Sequence, residues 1–147
     1  MDQDLMQLYS TRILALTTQI PHLERLATPM GTHRARSPQC GSVVAVDVVI
    51  KDGRIAAFGQ DVKACALGQA AAAVVGANAI GRTLPELIQA RDALRTMLQT
   101  QGPAPSAPFD GLDVLRAAAP FKNRHASILL ALDATIGAVE DAAAQAA

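Results

Sequence analysis

The stretch "VVAVDVVIKDGRIAAFGQDVK", Val43 to Lys63, decides the fold. Val43 to Ile50 is a continuous β-branched run with Asp47 as its only charge. "KDGR" then supplies an Asp-Gly turn, and "RIAAFGQDVK" resumes an apolar pattern. Asp-Gly between two such runs is the strongest short-range signal for a two-stranded antiparallel hairpin. A cysteine stands just outside each open end: Cys40 in "SPQCGS" before the first strand, Cys65 in "KACALG" after the second. A hairpin brings its open ends together, so these two thiols become neighbours although they are far apart in sequence.

The regions on either side read as helices and loops. Residues 2–18 predict an amphipathic helix, with Leu5, Leu8, Tyr9, Ile13, Leu14 and Leu16 near a 3.6-residue spacing and Pro21 ending it. Residues 21–41 predict a loop with a short edge strand. After Cys65, "ALGQAAAAVVGANAI" is alanine-rich and favours a helix slim enough to lie close to a sheet. Cys65 falls at its N-terminus, where free N–H groups and the helix dipole favour thiolate. Gly81 breaks the chain. "TLPE" (Thr83 to Glu86) is a capping box opening a helix to about Leu98. Residues 101–111, rich in Pro and Gly, predict a linker-like loop. From Asn123, "NRHASILLALDATIGAVEDAAAQ" predicts a final helix with His125 in its first turn. The order gives an α+β domain, a small antiparallel sheet of about three strands with helices on one face, spanning 1–147.

Composition narrows the function. The chain has 147 residues, half of them hydrophobic, with three Phe, one Tyr and no Trp, so the core is Leu, Val, Ile and Ala. Thirteen basic residues balance thirteen acidic ones, which argues against a nucleic-acid binder. Two cysteines make no disulfide framework, the charged N-terminus is not a secretory signal, and no apolar run spans a membrane. These features place the chain in the cytoplasm with reduced thiols. His22 and His33 fall in a polar loop and read as solvated. Asp47 reads as facing solvent from its strand, and Asp133 as a partly buried polar partner. No Gly-x-x-x-x-Gly-Lys phosphate cradle is present, and a Cys–His nucleophile pair lacks an orienting carboxylate and an oxyanion hole.

Cys40, Cys65 and His125 therefore form the candidate metal set: each sits at a loop or helix start, and together they could hold an ion with an open fourth position. The structural alternative is two small hydrophobes and a cap histidine. Lys63 is a candidate counter-charge to the thiolates.

The order Cys-Gly, hairpin, "KACALGQAAAA", "GRTLPEL" and "RHASILLALDA" resembles the iron–sulfur cluster scaffold proteins of the IscU, SufU and NifU N-terminal type. The resemblance covers nearly the whole chain, and the Pro-rich 101–111 segment is similar to the insertion of the SufU branch. It implies an IscU/SufU-like fold and a binding protein rather than an enzyme. It also implies iron or a [2Fe–2S] cluster, alternatively zinc, bound through Cys40, Cys65 and His125. The implied partners are a cysteine desulfurase and acceptor apo-proteins. Three departures are visible. Ser42 stands where the family has aspartate. Ala126 stands where it has the third cysteine, the implied acceptor of persulfide sulfur. Only Pro120 and Lys122 remain of the Leu-Pro-Pro-Val-Lys chaperone motif. A [2Fe–2S] cluster wants four ligands, and the fourth would come from Ser42, Asp61, a small thiol or another protein. The alternatives are a zinc-binding adaptor in sulfur transfer and a metal-free interaction module.

Overall fold

The computed structural model describes residues 9–38 and 40–146. Three strands make one antiparallel sheet in the order β1 (Gly31–Arg36), β2 (Val43–Lys51), β3 (Arg54–Lys63). The hairpin forms as its sequence predicts, paired from Lys51–Arg54 at the turn to Val43–Lys63 at the open end. Asp52 and Gly53 both take positive φ, 54° and 75°, the turn geometry whose twist matches that of the flanking strands. One register shift between Val49 and Ile50 leaves Ala56 as a bulge. β1 is the expected edge strand, running from Gly31–Val48 to Arg36–Val43 against β2.

Among the described residues four α-helices accompany this sheet: α1 (Thr11–Thr17), α2 (Ala66–Asn78), α3 (Leu84–Thr100) and α4 (His125–Ala146). Alternation puts Val44, Val46 and Val48 on the helix side of β2, all fully buried. α4 packs across β1 and β2, while α2 and α3 flank α4. Ala70 to Ala73 of α2 are buried, and the absence of bulk there lets the helices approach closely. Thr83 and Glu86 make both hydrogen bonds of the capping box at the start of α3. Among the described residues no helix is long and apolar enough to cross a membrane.

Four local readings change. Of the helix predicted over 2–18, the described part is α1, which starts at Thr11, where the Ser10 hydroxyl accepts from the Ile13 N–H; 2–8 lies outside the described residues. The 101–111 loop is anchored rather than linker-like. Phe109 is 2% exposed, Arg116 donates to the carbonyls of Gln101 and Gly102, and a 3-10 segment, Asp110–Ala118, buries Leu112 and Leu115. His33 lies on β1 with its ring against Gly137 of α4, not in a loop. Asp47 does not face solvent. The segment around Pro21–Leu26 runs along β3, with the Gln60 N–H donating to the His22 carbonyl. Arg25 then donates twice to the Asp47 carboxylate, at 2.7 and 2.9 Å. Asp133 is half-buried, as expected. Burial pushes its carboxyl up, opposed by the nearby Arg91, Arg95 and His33.

Candidate functional site

The open end of the hairpin builds the site. The loop from Ser37 to Ser42 closes on itself: the Ser37 N–H donates to the Ser42 carbonyl at 2.9 Å, and the Gly41 N–H to the Ser37 carbonyl at 3.0 Å. Cys40 lies exposed in this loop. Across the hairpin, β3 ends at Lys63 and Cys65 becomes the N-cap of α2, its side chain making no capping bond. That thiol is left free to turn toward α4, which delivers Ser127 in its first turn.

A continuous hydrogen-bonded chain results. Cys40 Sγ lies 3.0 Å from Ser42 Oγ, Ser127 Oγ donates to Ser42 Oγ at 3.2 Å, and Cys65 Sγ lies 3.3 Å from Ser127 Oγ. Ser37 Oγ adds a branch 3.4 Å from Cys40 Sγ. Ser37, Ser42 and Ser127 are 1%, 4% and 1% exposed. Buried hydroxyls are costly without partners, and these three find theirs in one another and in sulfur. Gly68 makes the arrangement possible, because a β-carbon there would meet Ser127 Oγ at 2.8 Å. The hydroxyls of Ser37 and then Ser42 stabilise a Cys40 thiolate, and with the Ser42 N–H they lower this thiol to about 7. In the thiol form the same contacts run the other way, with Cys40 donating to Ser42.

The structure therefore brings Cys40 and Cys65 to one tip of the domain, linked through serines. It does not bring His125 to them. The His125 Nε2 lies 3.1 Å from both the Ala118 and Ala119 carbonyls, which pins the first turn of α4 to the preceding segment. Helical geometry explains this: residues two apart point to different sides, so a register that turns Ser127 toward Cys65 turns His125 away. No group of three or more His, Cys, Asp or Glu side chains placed to hold a metal ion occurs among the described residues. Asp61 and Lys63 are exposed on β3. Ser127 and Ser37 were not singled out by sequence reasoning. Their only signal is position, Ser127 beside the expected cysteine position and Ser37 at the neck of the Cys40 turn.

A groove of about 890 Å³ lies elsewhere, between α3 and Pro103–Phe109. It is not lined by a thiol or a histidine. Its carboxylates are occupied, Glu86 by Arg82 and Arg54, and Asp92 by Arg91 and Arg95.

Known structures share this architecture. The N-terminal part of a nitrogen-fixing NifU-like protein from Brucella abortus is 37% identical, with a TM-score of 0.93 over 97% of this chain and 99% of that one. A protein described as an iron–sulfur cluster assembly scaffold for the SUF system, from Fervidobacterium islandicum AW-1, has the same fold at 16% identity. Its TM-score is 0.78 over 90% of this chain and 96% of that one. A hypothetical protein is 20% identical, with a TM-score of 0.75 over 90% and 97%. No protein-family model matches the sequence, and no curated protein does.

Proposed function

Because the chain belongs to the family of NifU-like N-terminal domains, we propose that it is a scaffold or carrier in iron–sulfur cluster assembly, taking its cargo on Cys40 and Cys65. The observation that carries this reading is the serine-linked chain holding both thiols at one tip, with Cys40 exposed. Thiolates suit iron, iron–sulfur clusters and zinc. Two of them do not complete the four ligands of a [2Fe–2S] cluster, so a cluster resting here draws its remaining ligands from another molecule. The partners implied are a cysteine desulfurase as sulfur donor and apo-proteins as acceptors. With alanine at position 126, no thiol on α4 is present to accept sulfur. The protein's part is binding and hand-over rather than turnover.

His125 acts in this reading as a pin for α4 and not as a ligand. Anaerobic reconstitution with iron and sulfide, followed by metal and acid-labile sulfide analysis, tests both points. Cys40→Ser and Cys65→Ser should each abolish loading, while His125→Ala should retain it. Undiminished loading in both cysteine variants removes the proposal. Loss in His125→Ala equal to that in Cys40→Ser, with the fold intact, returns the imidazole to the ligand set.

A further inference from the structure

The sheet has two edges, and they are built differently. Along β3 the Pro21–Leu26 segment meets the outer backbone groups, with the Gln60 N–H donating to the His22 carbonyl at 2.9 Å. Along β1 no described strand lies outside. We infer that β1 is a docking edge for an extended, acidic segment of a partner protein, which adds to the sheet as a fourth strand beside Arg34 and Arg36. The inference is separate from the scaffold reading, because no thiol takes part in it.

Two hydrogen bonds fix which backbone groups of β1 face outward. The Ser37 N–H points inward, to the Ser42 carbonyl at 2.9 Å, and the Thr32 N–H points outward, to the Asp141 carboxylate at 2.9 Å. Direction alternates along an antiparallel strand. Arg34 and Arg36 therefore present their N–H and C=O groups outward with Thr32, while His33 and Ala35 pair with β2. A carboxylate already fills the first outward donor. Among the described residues no hydrogen bond reaches the backbone of Arg34 or Arg36 from outside the sheet.

Charge selects the occupant. Gly31 and His33 turn toward α4, so alternation puts the exposed Arg34 and Arg36 side chains on the opposite face. Among the described residues neither guanidinium makes an ion pair. The carboxylates on that face act elsewhere: Asp47 accepts from Arg25, and the charge of Asp61 also bears on Arg25. A second copy of β1 laid antiparallel on the first would set arginine against arginine, which is destabilising. Charges on an edge block self-pairing in this way. The same two arginines favour a strand whose carboxylates stand two residues apart on one face, opposite Arg34 and Arg36. In strand addition the main chain supplies affinity and alternate side chains supply selection. Because β1 ends one residue before Ser37, the added strand runs up to the neck of the Cys40 turn.

The probe is a short fluorescein-labelled peptide of alternating valine and glutamate, titrated into the full chain and followed by anisotropy and amide hydrogen exchange. It should bind saturably, slow exchange at the Arg34 and Arg36 amides, and weaken as salt is added. The counterpart with lysine for glutamate should not bind. N-methylation at every valine, or at every glutamate, gives two further peptides. Backbone pairing predicts that one keeps binding and the other loses it, because only alternate amides face the edge. The Arg34→Glu, Arg36→Glu double variant should bind the glutamate peptide roughly tenfold or more weakly and take up the lysine peptide. The peptide series on the wild type decides the matter if that variant does not fold. Equal binding of glutamate and lysine peptides, equal effects of the two methylation patterns, or no protection at Arg34 and Arg36 overturns the docking edge. So does self-association of the free chain with those amides already protected, which makes a second copy the occupant. Each of these outcomes leaves iron loading on Cys40 and Cys65, and with it the scaffold reading, untouched.

Discussion

Two buried polar clusters sit on the same hairpin and are built on opposite principles. In the middle of β2, Asp47 is 1% exposed and every partner is fixed. Arg25 donates two bonds, Leu26 N–H one at 3.0 Å, and the Thr32 hydroxyl another. The charge is matched and the acceptor capacity is filled, so the cluster binds nothing further. At the open end of the hairpin the groups are uncharged hydroxyls and thiols, bonded in a chain that ends on exposed Cys40. A saturated ion pair has one arrangement. A hydroxyl chain can reverse its donors. The contrast separates a cluster that holds the sheet to its covering segment from one whose hydrogen bonds can be rearranged.

The largest expected effect breaks the first cluster. Asp47→Ala removes charge-assisted bonds from a buried carboxylate and leaves the Leu26 N–H without its acceptor, at a cost of about 3 kcal/mol. Urea unfolding measures it, and the folded variant should still load iron under anaerobic reconstitution. Loss of loading in folded Asp47→Ala would show the two clusters to be coupled.

Acid sharpens the same point. Arg25 first, with help from Thr32 and the Leu26 N–H, holds the Asp47 carboxyl below its ordinary value. The unfolded chain therefore takes up this proton more readily than the folded one. The stabilisation is fully present above an unfolded value of about 3.9 and drains away as pH falls through the lower folded value. Urea midpoints of the wild type should fall below about pH 4 more steeply than those of Asp47→Asn. Parallel acid limbs would contradict the assignment.

How much of each cluster could be read from sequence follows from the range of the forces involved. The hairpin, the capping box of Thr83 and Glu86, and the approach of Cys40 to Cys65 depend on local turn and cap chemistry, and all are visible in the sequence. Asp47 misled because alternation alone says only which face a residue is on. What covers that face is set by Arg25, far away in the chain. His125 misled for a related reason: its place at a helix start was correct, but the rotation of α4 was not legible. That rotation is fixed by α2 packing, with Gly68 receiving Ser127. Ser127 was invisible because serine in a helix start ordinarily signals nothing more than capping.

Gly68→Ala tests that packing, with a smaller effect on stability. Alanine is the better helix former by about 1 kcal/mol, but its β-carbon would crowd Ser127 Oγ and the Ala64 β-carbon, each at 2.8 Å. The serine hydroxyl can rotate away, but the Ala64 β-carbon and the Ser127 carbonyl at 3.2 Å cannot, so net stability should fall by about 1–2 kcal/mol. Iron loading under anaerobic reconstitution should fall with it. A folded variant with unchanged loading would mean that the Gly68 contact does not hold the two thiols in place.

The smallest effect concerns Cys40 in the metal-free protein. Its thiol is lowered to about 7, first by the Ser37 hydroxyl and then by Ser42. The thiolate is the nucleophile, so alkylation of Cys40 by iodoacetamide should rise with pH through an inflection near 7. Ser37→Ala removes the leading stabiliser of the thiolate and shifts that inflection upward, slowing the reaction at neutral pH by roughly two- to fivefold. Peptide-level mass spectrometry follows Cys40 separately from Cys65. If the Ser37→Ala profile overlays the wild type, the hydroxyls at this tip do not stabilise the anion, and the distinction between a saturated cluster and a responsive one loses its electrostatic basis.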